Sequence, residues 1–273
     1  MKQESTESAI GVFDSGVGGL TVLRAAHKLL PNEQFMYVAD SAHAPYGERD
    51  ADYIIDRCIA ITQFLHRQTK PIKALVVACN TASVVAIKQL RDTFDIPIVG
   101  IEPAIKPAAS VTRSGVVGVL ATSQTIQSPG VKRLCELYGQ NVEVILKPCP
   151  GLVDRIERAE LDTPETVQLL KEYLTPMLDA GADTVVLGCT HYPFVRDAIQ
   201  TIMGNSVTII EPGAAVARQL GRRLDRLNLR SSIEVRADDK RTTFYSTGEV
   251  GDVASIISSL WGRSVAIRYL EGV

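Results

Sequence analysis

The chain has 273 residues, with 29 Lys and Arg against 31 Asp and Glu, for a formal net charge of −2. That length allows one or two domains with a large buried core. The even balance of charge gives no electrostatic draw to nucleic acid or to a membrane surface.

No apolar run approaches the ~18 residues of a membrane-spanning helix. The opening stretch, residues 1–8, is polar and carries two acids. It lacks the apolar segment of a signal peptide and is expected to be a short disordered lead-in. The five cysteines (Cys58, Cys79, Cys135, Cys149, Cys189) are odd in number and form no CxxC pair. Reduced thiols in a cytoplasmic setting are therefore expected.

Short β-branched runs alternate with helical patterns along the chain. Strands are predicted at 10–13, 35–39, 74–78, 98–101, 116–120, 142–146, 184–187, 207–210, 242–245 and 265–269. Helices are predicted at 18–30, 53–68, 82–93, 104–111, 126–138, 163–180, 194–203, 214–227 and 250–261. Such alternation means βαβ units, an α/β fold and mainly parallel sheets. Several strands are apolar throughout, as happens when helices cover both faces.

The chain also repeats itself. Gly11-Val12-Phe13-Asp14-Ser15 has a counterpart in Gly118-Val119-Leu120-Ala121-Thr122-Ser123, Cys79 in Cys189, and Ile101-Glu102-Pro103 in Ile210-Glu211-Pro212, at offsets of 108 to 110 residues. A repeat of that length implies two pseudo-symmetric, doubly wound lobes. The expected division is 1–101 plus 212–273 for one lobe and 102–211 for the other, because the tail has no counterpart in the repeat and returns to complete the first lobe.

Cys79 and Cys189 each end an apolar run and precede polar residues, Asn80-Thr81 and Thr190-His191. Ligands of open α/β sheets bind beyond the carboxyl ends of the strands. A thiol there, at the start of the following helix, is favoured as thiolate by the helix dipole. The competing reading is a small buried hydrophobe, which suits Cys58 and Cys135 on apolar helix faces and Cys149 before Pro150. For Cys79 and Cys189 the pairing by repeat outweighs it. The turn Asp14-Ser15-Gly16-Val17-Gly18-Gly19 lacks both the dinucleotide spacing and a GK[ST] sequel. Its backbone N–H groups could still meet a carboxylate, and Asp14 reads equally as a turn residue. His191, beside Cys189, is the histidine best placed for chemistry; His27 and His66 fall in helical patterns.

Together, Phe13-Asp14-Ser15-Gly16-Val17-Gly18-Gly19-Leu20, Pro45-Tyr46-Gly47, Ala78-Cys79-Asn80-Thr81-Ala82, Leu187-Gly188-Cys189-Thr190-His191-Tyr192-Pro193 and Phe244-Tyr245-Ser246-Thr247-Gly248 resemble the glutamate racemases of the aspartate/glutamate racemase superfamily. The resemblance spans nearly the whole chain. It implies an active site in the cleft between the lobes, one cysteine from each, no cofactor, no metal, and D-glutamate made for peptidoglycan. By that resemblance Cys79 takes the α-proton of D-glutamate and Cys189 that of L-glutamate, with Asp14 assisting the first, and His191 and Glu157 the second. Asp14, Ser15, Pro45, Tyr46, Gly47, Asn80, Thr81, Thr122, Thr125, Thr190 and His191 hold the substrate, and a homodimer is implied. In the second-lobe turn Gln124 stands where the family pattern has glycine.

Proton removal from an amino acid without an electron sink needs electrostatic stabilisation in a dry site. It also needs a base on one face and an acid on the other, which two equivalent thiols supply. A Cys–His hydrolase would leave the second thiol without a task. A racemase for aspartate or another small acid is a further reading. So is a metal module built on Cys79, Cys189 and His191, which is one ligand short of a zinc site.

Overall fold

The computed structural model describes residues 6–232 and 241–272. The first five residues of the expected lead-in lie outside them. The chain divides into two compact units, Met1–Ile101 with Gly213–Val273, and Glu102–Pro212.

In the first unit the order is β1 (Ile10–Asp14), α1 (Leu20–Leu29), β2 (Phe35–Ala39), α2 (Ala51–His66), β3 (Ala74–Val77), α3 (Asn80–Thr93) and β4 (Ile98–Val99). In the second it is α4 (Ile105–Val111), β5 (Val116–Ala121), α5 (Ser123–Gln127), α6 (Pro129–Tyr138), β6 (Glu143–Pro148), α7 (Leu152–Glu157), α8 (Pro164–Asp179), β7 (Thr184–Leu187), α9 (Arg196–Met203) and β8 (Thr208–Ile210). The chain then supplies α10 (Gly213–Arg226), β9 (Thr242–Ser246), α11 (Val250–Trp261) and β10 (Ile267–Tyr269) to the first unit. Among the described residues no helix is long and apolar enough to cross a membrane.

The first sheet runs β10-β9-β2-β1-β3-β4 and the second β6-β5-β7-β8, and every described strand pair is parallel. The order 2-1-3-4 of the first is thus repeated in the second, and the tail adds β9 and β10 at the β2 edge. Strands β1, β3 and β7 are buried along their whole length, because helices cover both faces of each sheet. In both sheets the strand order switches direction at the first strand, the second strand lying on one side of it and the third and fourth on the other. That is the point where open α/β sheets hold ligands.

Register places the strand ends level. Phe13 pairs with Val38 and Val77, and the ladder continues as Asp40 N–H to Asp14 O and Ala78 N–H to Phe13 O. In the second unit Leu120 pairs with Lys147 and Leu187, continued by Cys149 N–H to Ala121 O and Gly188 N–H to Leu120 O. One edge of each sheet therefore carries Asp14, Asp40 and Cys79, or Thr122, Cys149 and Cys189.

Several elements depart from the sequence expectation. The predicted helix at 126–138 is two helices: Ser128 is extended (φ −66°, ψ 144°), as a residue before proline prefers, and its hydroxyl caps α6 by accepting from Val131 N–H. The first of the two starts earlier, at Ser123, so Gln124 sits in regular helix, where no glycine is needed. Helix α7 is not among the predicted elements; it has only six residues and starts at Gly151 with φ +76°, a conformation glycine adopts freely. Strand β4 stops at Val99, short of the predicted Ile101.

Candidate active site

In the first unit Cys79 caps α3. Its sulfur accepts from Ala82 N–H at 3.4 Å, and its carbonyl accepts from Ser83 N–H. The thiol faces the unsatisfied N–H groups and positive dipole end of a fourteen-residue helix, which favour negative charge on sulfur. A polar chain leads away from it: the thiol donates to Ser15 Oγ at 3.7 Å, and Ser15 Oγ donates to Asp14 Oδ1 at 3.5 Å. Asp14 is fully buried, and the same oxygen accepts from Gly16 N–H at 2.9 Å. Asp14 thus shapes the turn and reaches the cysteine through Ser15. Gly19 is required here, since a Cβ on it would stand 2.7 Å from Asp14 Cβ.

Asn80 and Thr81 are each 2% exposed. Neither amide atom of Asn80 has a hydrogen-bond partner among the described residues. Buried amides are almost always paired, so this one is prepared for a group the protein does not itself supply. Pro45, Tyr46 and Gly47 follow β2, with a cis bond between Ala44 and Pro45. The Tyr46 ring is buried in the same apolar cluster as Cys58 and Cys79. Burial, followed by the Asp40 charge, holds its phenol well above the usual tyrosine range.

In the second unit Cys189 lies beyond β7, and here the expectation of a following helix is corrected. A short 3₁₀ turn, Tyr192–Val195, comes next, and α9 starts only at Arg196. The sequence Thr190-His191-Tyr192-Pro193 makes that tight turn in place of a first α-helical turn. The positive group near Cys189 is instead His191, whose Nδ1 is 3.7 Å from the sulfur and whose Nε2 is 2.5 Å from Glu157 Oε1. Burial alone would lower the His191 pKa, but its bonds to Cys189 and Glu157 prevail and raise it well above 6.5. Glu157 is the last residue of α7, so this short helix aims the carboxylate at the ring. Thr190 and Thr125 are buried and Thr122 is half-buried; Thr122 Oγ1 caps α5 through Thr125 N–H at 3.3 Å and donates to Thr125 Oγ1 at 2.9 Å. Gly188 has a packing reason too, since a Cβ there would stand 2.8 Å from the Leu120 carbonyl.

The structure thus gathers Asp14, Ser15, Asn80 and Thr81 around Cys79 in one unit, and Glu157, Thr190 and His191 around Cys189 in the other. Two neighbours lie outside the predicted site residues. Cys149 is buried, its thiol donates to the Lys147 carbonyl at 3.4 Å, and burial pushes its pKa up to about 12. The Asp40 carboxylate is bonded by Tyr46, Arg57 and Thr247. A groove of about 860 Å³ runs beside α7 and α8, lined among others by Pro150, Arg155, Arg158 and Glu172; it includes none of the predicted site residues.

Parallel sheets presenting paired thiols, hydroxyls and amides at their carboxyl ends are the frame of an α/β enzyme. The sequence pattern of the Asp/Glu/hydantoin racemase family matches residues 18–220. The chain belongs to that family and is an amino-acid racemase, an isomerase. It is 47% identical over 264 residues to the glutamate racemase of Ectopseudomonas mendocina (strain ymp), covering 96% of this chain and 98% of the relative. Among solved structures, a glutamate racemase isoform of Bacillus anthracis is similar with a TM-score of 0.84 and 34% identity, covering 98% of each chain. Glutamate racemase from Francisella tularensis in complex with D-glutamate is similar with a TM-score of 0.82 and 29% identity, covering 97% of this chain and 98% of that one.

Proposed function

We propose that this enzyme interconverts L- and D-glutamate with two cysteine bases and no cofactor. The observation that carries this reading is the pair of thiols at corresponding strand ends, Cys79 after β3 and Cys189 after β7. Cys79 as thiolate removes the α-proton of D-glutamate, and the Cys189 thiol delivers a proton to the opposite face. In the other direction Cys189 is the base and Cys79 the acid. Each turnover leaves the two protonation states exchanged, and solvent resets them. Asp14 assists Cys79 through Ser15. His191, held by Glu157, assists Cys189.

Ser15, Asn80, Thr81, Thr122, Thr125 and Thr190, with the turn Pro45-Tyr46-Gly47 and His191, hold the substrate. Hydroxyl and amide donors suit a ligand with two carboxylates, because they bind anions without adding full charges to balance. The Asn80 amide, without a partner among the described residues, supports such a role. Glutamate as substrate is supported by the relative from E. mendocina and by the D-glutamate complex of the Francisella enzyme. The product D-glutamate would serve peptidoglycan synthesis, made by a cytoplasmic homodimer.

The test is to incubate the purified protein with L-glutamate in D2O without added cofactor. D-glutamate carrying deuterium at Cα is expected, approaching an equal mixture of enantiomers. Full activity in Cys79→Ser or in Cys189→Ser would sink the two-base reading.

A further inference from the structure

Asp40 directly follows β2 and is fully buried. Its two carboxylate oxygens accept four side-chain hydrogen bonds. Tyr46 OH reaches Oδ2 at 2.5 Å and Arg57 Nε the same oxygen at 3.0 Å; Arg57 Nη2 reaches Oδ1 at 2.7 Å and Thr247 Oγ1 the same oxygen at 2.8 Å. The donors come from three separate segments: the turn after β2, helix α2, and the turn after β9. Thr247 Oγ1 also accepts from Ala42 N–H, and the Asp40 carbonyl accepts from His43 N–H. Four donors saturate a carboxylate, and the bidentate arginine fixes its plane.

Stability alone does not account for this arrangement. A buried ion pair costs so much desolvation that apolar replacements are often neutral or better. What the pair provides is geometry. Tyr46 is held at its ring by the cluster containing Cys79 and at its hydroxyl by Asp40. The second unit has a counterpart. Cys149 occupies the ladder position equivalent to Asp40 and packs in one buried cluster with Cys189 and with Tyr192, three residues beyond Cys189. In each unit a buried tyrosine shares a cluster with the strand-end cysteine, and in the first unit Asp40 binds that tyrosine's hydroxyl.

We infer that Asp40, locked by Arg57, is a positioning residue of the Cys79 half-site, fixing the Tyr46 hydroxyl and through it the Tyr46–Gly47 backbone that receives substrate. This rests on the racemase reading above and deepens it. Arg57 and Thr247 act only through Asp40, and Asp40 only through Tyr46.

A double-substitution cycle tests the chain of dependence. Full-length Arg57→Ala, Tyr46→Phe and the double variant are assayed for kcat and KM with both enantiomers of glutamate. In parallel, iodoacetamide alkylation of Cys79 is followed by peptide mass, which needs no substrate. Arg57→Ala is expected to raise KM at least tenfold, to lower kcat less, and to change the Cys79 alkylation rate at least threefold. In the Tyr46→Phe background the same substitution changes each quantity less than twofold, because the hydroxyl it supported is gone. Arg57→Lys keeps the charge but not the fork and is expected to leave KM raised at least threefold; wild-type KM in that variant overturns the bidentate lock. Should Arg57→Ala not fold, Thr247→Val removes a different donor from the same carboxylate and enters the same cycle under the same criteria. Equal fold-changes in the two backgrounds, or wild-type KM and alkylation in Arg57→Ala, overturn the inference. A wild-type protein inert toward glutamate would overturn the racemase reading alone, and the alkylation cycle would still decide the role of Asp40.

Discussion

Cys79 and Cys189 are prepared for charge by different means. Cys79 sits at the amino end of α3, where backbone N–H groups and the helix dipole act on sulfur. Cys189 has no α-helix behind it and relies on the His191–Glu157 pair. Enantiomers have equal free energy, so kcat/KM must be the same in both directions whatever is substituted; asymmetry can show only in kcat and KM separately. Glu157→Gln is expected to lower the His191 pKa, read by imidazole NMR, and to make the two kcat values unequal while the kcat/KM values stay equal. The sign for stability follows from a raised folded-state pKa. The contribution of the pair is fully present below the unfolded histidine value of about 6.5 and is lost as pH rises through the folded value. Urea unfolding should therefore show the largest loss in Glu157→Gln below about pH 6.5 and a shrinking loss above it. Asn80→Ala separates binding from folding: with no side-chain partner to lose among the described residues, it should change stability by less than ~1 kcal/mol and raise KM for glutamate at least tenfold. A drop in stability with unchanged KM would make Asn80 structural. The two thiols and His191 were legible because each lies in a local motif. The Asp40 cluster was not, because its partners stand 17 and 207 residues away in sequence.

At the scale of elements, strand positions follow the apolar runs closely and helix ends do not. Helix α3 starts two residues before its predicted beginning, because the Cys79 sulfur acts as its cap. The break between α5 and α6 hinges on Pro129, a local signal within an otherwise continuous helical pattern. Helix α7 is too short to show a periodicity, yet it carries Glu157. A sensitive backbone contact lies between β5 and the residue after β7. Gly188→Ala would drive a methyl group against the Leu120 carbonyl and should cost about 1–3 kcal/mol, with loss of activity as Cys189 is displaced. The equivalent position of the first unit is already alanine, Ala78, so the two units differ here in packing. Chemical denaturation with an activity assay checks this; unchanged stability would mean that β7 shifts freely.

For the whole molecule, the α/β class and parallel sheets were readable from alternation, and the repeat from motif offsets. The repeat is realised as the shared strand order 2-1-3-4. The placing of β9 against β2 could not be read from local pattern, since parallel neighbours carry no sequence signal for one another. The second unit closes its sheet and core within one continuous segment, Glu102–Pro212. The first needs the tail: β9 pairs with β2, and the buried Lys73–Glu33 pair is joined by Ser231 N–H. A fragment of residues 102–212 is expected to unfold cooperatively by circular dichroism, and one of residues 1–101 to show no such transition; the reverse would contradict this division of stability. The central claim, one thiol for each enantiomer, is tested most directly by α-proton wash-out in D2O from each pure enantiomer with the single-cysteine variants. Cys189→Ser should exchange the α-proton of D-glutamate only, and Cys79→Ser that of L-glutamate only. Exchange from both enantiomers in either variant would contradict the account.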